Sequence, residues 1–168
     1  MKYWVNLTRS YRRDQAGVAL VEFSLLLPVL FFSIFGMIEY SRVIYQQHIA
    51  DKGVKNAARY LARVVDDTDC ALNGAEFTAA KINAVTLAQF GRFDSNGTPL
   101  LSNWTNAADV TITIDCELNT GGEWRGEDDL PLITVSTAFN YDDLGLLGVL
   151  GQNGITVRAS HQEIFVGG

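Results

Sequence analysis

The chain has 168 residues, with 19 acidic and 13 basic side chains and a formal net charge of −6, and its length fits one domain with an appendage. The first 17 residues hold four basic residues and one acidic residue, and subtracting their charge of +3 from −6 leaves −9 for the remainder. A surface this acidic argues against a nucleic-acid partner, because such partners require a basic footprint.

An apolar run from Val18 to Ile38 follows this basic segment, and its only ionisable residue is Glu22. A helix of this length is about 31 Å long, close to the thickness of a bilayer's hydrocarbon core. Basic residues precede the run, so the positive-inside rule predicts a cytoplasmic N-terminus and a periplasmic C-terminal domain, held in a bacterial inner membrane by a single pass. A secretory signal peptide is the alternative, but its apolar region is shorter, about 7–15 residues, and no Ala-x-Ala-like site follows here.

Two residues make this run unusual for a simple anchor. A carboxylate at Glu22 costs at least about 2.5 kcal/mol in lipid, so it predicts a functional partner, although the side chain could also reach the headgroups with no further role. Pro28 removes a helical hydrogen bond and predicts a kink or a local opening.

The pattern of these residues resembles a known family. Gly17, four apolar residues and then Glu22-Phe23 resemble the processing site of a type IV pilin-like precursor. Together with Pro28 and residues 36–40 and 56–59, the pattern over residues 12–65 is similar to TadE-like minor pseudopilins of tight-adherence (Tad/Flp) pili.

The resemblance implies that a prepilin peptidase cleaves after Gly17 and removes residues 1–17 as a leader peptide. Val18 then becomes the new N-terminus, and Glu22, Phe23 and Pro28 serve recognition and assembly. A buried charge needs an opposite charge, which the free amine of a neighbouring subunit's Val18 would provide for Glu22. Gly17 could also be a flexible joint before the helix.

Helical periodicity continues beyond the membrane span, so residues 39–65 are predicted to extend the same helix. Gly53 weakens that helix by about 1 kcal/mol relative to Ala. A basic face is either solvated or in contact with an acidic face of a neighbouring subunit. It consists of Lys52, Lys55, Arg59 and Arg63.

Residues 66–168 are predicted to form an extracytoplasmic α+β domain. A capping-box pattern at Asn73 and Glu76 predicts a second helix over residues 75–90, closed by Gly91. Residues 92–107 are predicted as a loop, and period-two alternation predicts strands over residues 110–118, 132–141 and 155–166. The apolar segment over residues 142–154 predicts a short helix, with subunit contact as the alternative. The expected fold class is α+β and pilin-like, with the long N-terminal helix packed on a small antiparallel sheet.

Two cysteines, Cys70 and Cys116, both follow the membrane span. Outside the cytoplasm such a pair is more often a disulfide than a metal site, and we predict a Cys70–Cys116 bond. Closing a loop of about 47 residues contributes roughly 4 kcal/mol in the chain-entropy model.

The sequence offers no evident catalytic constellation or phosphate-binding loop, and we predict no catalytic residue, metal or cofactor. His48 and His161 each lack a nucleophile nearby in sequence. The acidic groups at residues 66–69 and 127–129 could gather calcium, but neither has EF-hand spacing and solvated loops are the commoner explanation.

The leading hypothesis is therefore structural: a minor pilin or pseudopilin of a tight-adherence type IV pilus. Its expected partners are a prepilin peptidase, other pilin subunits, the pilus assembly platform and the inner membrane, and it could reach the extracellular pilus after assembly. One alternative is an uncleaved single-pass envelope protein with an outward ligand- or protein-binding domain. The other is an envelope enzyme whose site is assembled from residues far apart in sequence.

Overall fold

The first helix, α1, runs Gln15–Val64 and continues through Pro28 without interruption. The computed structural model describes residues 15–64, 75–118, 129–149, 151 and 154–164. The chain forms two compact units, Met1–Ser41 and Arg42–Gly168, and the boundary between them falls within α1. One helix therefore supplies the apolar run to the first unit and a packing face to the second.

The second unit is built from part of α1, a second helix, α2 (Ala75–Phe90), and a three-stranded sheet. α2 has the predicted bounds and ends at Gly91, whose φ of +68° is the left-handed conformation that glycine adopts at little cost. The predicted core positions of α2 are buried, and Val85 packs beside them. They are Phe77, Ala80, Ala84 and Ala88.

Close packing between α1 and α2 explains Gly53. A β-carbon at this position would lie 2.5 Å from the backbone oxygen of Ala88 and 2.8 Å from the ring of Trp104. Gly53 thus costs α1 some helical stability but allows the two helices and the indole ring to approach one another. The other buried apolar residues of α1 in this unit are mostly alanine. They are Ala50, Val54, Ala57, Ala58, Leu61 and Ala62.

The sheet has the order β1-β2-β3, with both pairs antiparallel. Its strands are β1 (Val110–Leu118), β2 (Asp129–Asn140) and β3 (Thr156–Ile164). β1 has the predicted bounds, and β2 begins three residues before its predicted start at Leu132. β3 begins one residue after its predicted start at Ile155, and its predicted last two residues lie outside the described part of the chain. The period-two prediction for β2 is confirmed, because its alternate side chains are buried against the helices. They are Ile133, Val135, Thr137 and Phe139.

The segment between α2 and β1 is irregular as predicted, apart from a one-turn 3-10 helix over Ala107–Asp109. Buried amides hold it in place: Gln89 Nε2 donates to the Asn106 carbonyl at 2.8 Å, and Asn103 Nδ2 donates to Gln46 Oε1 at 3.1 Å. Trp104 is fully buried and stacks on Phe139 with the ring centroids 5.2 Å apart. This loop is therefore part of the core, although its composition alone predicts only a surface connection.

The apolar segment after β2 contains a third helix, α3 (Leu146–Val149), which confirms the predicted short helix. The α+β prediction is confirmed as a whole, with buried residues of α1, α2 and the sheet in one hydrophobic cluster. Several sequence predictions lie outside the described residues, among them the Asn73 half of the capping box, the position of Cys70 and the connection over residues 119–128.

Candidate processing and assembly site

The apolar run of α1 is exposed along its length in the isolated chain. Leu20 and Leu25 are each 70% exposed and Met37 is 73% exposed. An apolar stretch of 18 residues within α1 has none of its residues buried, and this helix is long and apolar enough to cross a membrane. Exposure of this much contiguous apolar surface predicts that lipid or other apolar helices cover it.

The predicted cleavage site lies in the first turns of α1. The helix begins at Gln15, so Gly17 and Val18 are both helical and exposed. A β-carbon at Gly17 would meet no atom within 4 Å, so packing does not explain glycine at this position. Backbone freedom for an approaching protease, or flexibility of the joint, remains as the physical reason for Gly17.

The three residues predicted for recognition and assembly lie one to three turns further along α1. Glu22 is exposed, and in the described part of the chain its carboxylate has no hydrogen-bond or ion-pair partner. Phe23 is 64% exposed. Pro28 lies within the helix and leaves it continuous. In the described part of the chain these side chains are thus uncovered and available for contact with lipid or another molecule.

Small and hydroxylated residues interrupt the bulky surface of the run. Ser33 and Gly36 are three positions apart and so share one face of α1. The Ser33 hydroxyl donates to the Val29 carbonyl at 2.8 Å, and the Ser24 hydroxyl donates to the Val21 carbonyl at the same distance. Both hydroxyl groups have hydrogen-bond partners within the helix. Neither therefore places an unpaired hydrogen-bond donor where α1 packs against lipid or another helix.

The end of the run combines a buried carboxylate with exposed tyrosines. Glu39 is only 3% exposed, whereas Tyr40 is 68% exposed and Tyr45 is 62% exposed. Tyrosines are enriched where a membrane helix meets the headgroups, because the ring is apolar and its hydroxyl is polar. Their positions agree with a span that ends at Ile38. The burial of Glu39 is not evident from the sequence, where it directly follows the apolar run.

The basic face of α1 is exposed, and one of its members has an internal partner. Arg59 Nε lies 3.2 Å from Glu163 Oε1 of β3, and His161 Nε2 lies 3.0 Å from the same oxygen. The hydrogen bond from His161, followed by that from Arg59, holds the pKa of Glu163 below its ordinary value of 4.5 against the opposing effect of burial. Elsewhere in the described chain, Lys52, Lys55 and Arg63 have no ion-pair partner. The Arg59–Glu163 contact was not predictable from the sequence, because the two residues are 104 positions apart and meet only where β3 packs beside α1.

Cys116 lies near the end of β1, where it is exposed and paired in register with Pro131. By alternation it shares the sheet face of Val110, which is buried against the helices. Its predicted partner, Cys70, lies outside the described residues. The Cys70–Cys116 bond therefore stays a prediction.

No cluster of three or more potential metal ligands occurs among the described residues. The acidic groups considered for calcium fall outside them, apart from Asp129 at the start of β2. His48 is exposed on α1. His161 contacts Glu163, a pair that the sequence analysis did not identify.

Comparison with known proteins gives one match. No curated protein and no solved structure matches the chain significantly. The family model described as TadE-like protein matches residues 17–59, which begins at the predicted cleavage site and includes the apolar run and Gly53. TadE-like proteins are structural components associated with tight-adherence pili. The resemblance seen in the sequence is thus confirmed for residues 17–59, which are similar to the TadE-like family and include most of the one helix in the described chain that is long and apolar enough to cross a membrane.

Proposed function

We propose that this protein is a minor pilin or pseudopilin of a tight-adherence type IV pilus, processed by a prepilin peptidase after Gly17. The observation that carries the proposal is the exposed apolar run of α1, which lies in the TadE-like segment. Glu22 lies within this run and is itself exposed. A simple anchor gains nothing from a carboxylate in this position. A subunit that packs against other pilins gains an ion pair that sets the register between helices.

The mechanism has three steps. Cleavage after Gly17 frees the amine of Val18 at the cytoplasmic face. The apolar run then leaves lipid for contacts with other pilin helices, and Ser33 and Gly36 permit close approach there. The Glu22 carboxylate pairs with the Val18 amine of a neighbouring subunit, and the α+β unit is displayed on the periplasmic side and later on the filament.

The decisive experiment separates membrane insertion from assembly. Glu22→Leu should insert and be processed normally, because it removes a costly charge from lipid, yet it should fail to copurify with the other pilins. Glu22→Gln keeps the size and hydrogen-bonding capacity of the side chain and should show the same defect if the charge matters. Leu25→Ala, at a neighbouring exposed position, is the matched control: it removes apolar surface but no charge, and should weaken copurification much less than either Glu22 variant. Normal copurification and piliation of both Glu22 variants would leave only a membrane anchor.

Processing has its own test. Gly17→Trp should accumulate as a full-length, membrane-held precursor, and it should do so without a folding defect because the space around Gly17 is open. N-terminal sequencing and intact mass of the chain report the outcome. A mature chain that still begins at Val18 in this variant would contradict the cleavage assignment.

The helical placement of Gly17 favours one competing function. A peptidase binds its substrate extended, so a helical site is a poorer substrate until its first turn unwinds. The chain would then be an uncleaved single-pass envelope protein with a binding domain. Intact mass separates the two functions in the unmodified protein, because only the uncleaved form retains residues 1–17.

A further inference from the structure

An Asn-Gly pair, Asn96-Gly97, lies in the loop that follows α2. Asn96 is exposed, and its backbone N–H donates a hydrogen bond of 2.8 Å to Asp94 Oδ1. Among the described residues, neither the side-chain amide of Asn96 nor the backbone N–H of Gly97 has a hydrogen-bond partner. No hydrogen bond must therefore be broken before these two groups approach each other.

The two groups can react with each other in water. The Gly97 nitrogen loses its proton to a solvent base and attacks Cγ of Asn96, which forms a new N–Cγ bond. The Cγ–Nδ2 bond then breaks, and ammonia leaves with a proton taken from solvent. Water opens the resulting succinimide at one of its two carbonyl carbons and gives either aspartate or isoaspartate. Glycine favours this reaction, because it has no side chain beside the attacking nitrogen and its backbone turns freely.

The guanidinium group of Arg92 lies against Gly97. A β-carbon at Gly97 would be 2.5 Å from Nη2 and 2.7 Å from Nη1 of Arg92. A β-carbon lies about 2.5 Å from the amide nitrogen of its own residue, so the guanidinium is no more than about 5 Å from the Gly97 nitrogen. Negative charge develops on this nitrogen when its proton leaves, and a cation at this distance stabilises that charge.

The charge of Arg92 is not neutralised, since it has no ion-pair partner in the described part of the chain. Asp94 brings an opposing charge into the loop, and its Oδ1 already accepts the hydrogen bond from the Asn96 N–H. Arg92 is exposed, so solvent and salt weaken its effect. Coulomb attraction at about 5 Å in water with physiological salt corresponds to roughly a two- to fourfold change in rate.

We propose that Asn96-Gly97 is a site of spontaneous deamidation and that the Arg92 guanidinium accelerates the reaction. Each event replaces a neutral amide with a carboxylate beside an arginine, and isoaspartate also adds a methylene group to the backbone of the loop. The chain therefore gains negative charge with age at a position that its own structure selects. This inference is independent of cleavage, membrane insertion and pilus assembly.

The test incubates the full chain in detergent at neutral pH and follows each asparagine by peptide mass spectrometry. Two further Asn-Gly pairs, which begin at Asn73 and Asn153, serve as internal references. Arg92→Gln should slow deamidation at Asn96 about two- to fourfold and leave the rates at the two reference sites unchanged. Arg92→Lys keeps the positive charge and should restore most of the rate. Asn96→Gln should abolish the modification, because the longer side chain would have to close a larger ring.

Salt separates the electrostatic effect of Arg92 from a structural one. In the unmodified chain, rising salt should lower the rate at Asn96 toward that of Arg92→Gln, because salt screens exposed charges, and the variant itself should respond little. Equal rates at Asn96 in the unmodified chain and in Arg92→Gln at low salt would overturn the role of Arg92. The proposal as a whole would be overturned if Asn96 remained an amide while a synthetic peptide of residues 92–99, incubated in parallel, was converted.

Discussion

The two parts of α1 differ in the size and the burial of their apolar side chains. In the first unit these side chains are bulky and exposed, as at Leu20, Phe23 and Leu25. In the second unit the buried positions are mostly alanine or glycine, and Ala50, Gly53 and Ala57 pack against elements of the same chain. The same helix therefore fulfils two packing requirements, one within the chain and one outside it.

The difference indicates which measurements report on each part. A substitution in the second unit removes contacts that fold the chain, so it changes the free energy of unfolding. A substitution in the first unit changes the contacts that this part of the helix makes with lipid or with other molecules. It therefore changes membrane insertion or assembly and leaves the unfolding transition of the second unit unchanged. The following variants test this division, and most of them are compared with a matched change in the other part of α1 or on an exposed strand.

Trp104→Ala should have the largest effect. Trp104 is fully buried between α1 and the sheet residue Phe139, and loss of a buried tryptophan costs about 3–5 kcal/mol. Thermal unfolding of the full chain in detergent, followed by near-ultraviolet circular dichroism, measures the loss. Leu25→Ala is the control and should leave that transition unchanged. A large shift for Leu25→Ala would contradict the division of α1.

Removal of the predicted disulfide should have an effect of similar size. Cys116→Ser should reduce the free energy of unfolding by roughly 4 kcal/mol, and less if the bond is strained. The double variant that also carries Cys70→Ser should lose no more than the single variant, because the bond is already absent. Mass measurement after alkylation without reductant is the direct check, and two alkylated thiols in protein taken from the envelope would refute the pairing.

Gly53→Ala should cost about 1–3 kcal/mol despite the better helix propensity of alanine, because the new methyl group would overlap the Ala88 carbonyl and Trp104. Gly36→Ala makes the same chemical change in the first unit, where no atom lies within 4 Å of the added carbon. It should leave the transition unchanged or raise it slightly. Equal effects of the two variants would show that helix propensity, rather than packing, determines the outcome.

Glu163→Gln should have the smallest effect, below about 1 kcal/mol, since its ion pairs are partly exposed. The lowered pKa of Glu163 means that its carboxylate stabilises the fold above the unfolded-state pKa and that this contribution is lost as pH falls through the folded-state pKa. Unfolding of the variant should therefore depend less on pH below about 4.5 than unfolding of the unmodified chain. Glu117→Gln, on the exposed face of β1, is the control and should preserve the pH dependence.

Periodicity predicted much of this fold from the sequence, because the relevant interactions are local. The bounds of α2 follow from its apolar spacing and from Gly91, and those of β1 follow from strict alternation. The role of Trp104 and the need for Gly53 were not predictable, because they depend on residues that are far apart in sequence. The buried amides of Gln46 and Gln89 were missed for the same reason, since a glutamine on a helix is normally exposed.

The candidate site was predicted mainly as a pattern of spacing. Gly17 directly precedes the apolar run and Glu22 lies five residues later within it, and the family match begins at residue 17, while the roles of both residues stay predictions. The structure adds that Glu22 is exposed in the isolated chain. The partner of Glu22 is intermolecular in the proposed mechanism, and a contact of that kind leaves no signal in the sequence of one chain.

The contacts between α1 and β3 have a consequence for the order of folding. Gln47 Nε2 donates to the Arg158 carbonyl at 2.6 Å across 111 residues, and Arg59 pairs with Glu163 across 104 residues. Pairing of β1 with β2 closes a much shorter loop than these contacts do. The β1–β2 ladder can therefore form while β3 is still being synthesised. Until residues 156–164 are available, the edge of β2 that pairs with β3 has no partner strand, and the polar side chains of α1 that contact β3 lack their partners. The intermediate therefore exposes an open strand edge. During the period before residues 156–164 pair with β2, a helper protein or a second chain can therefore compete with the correct closure.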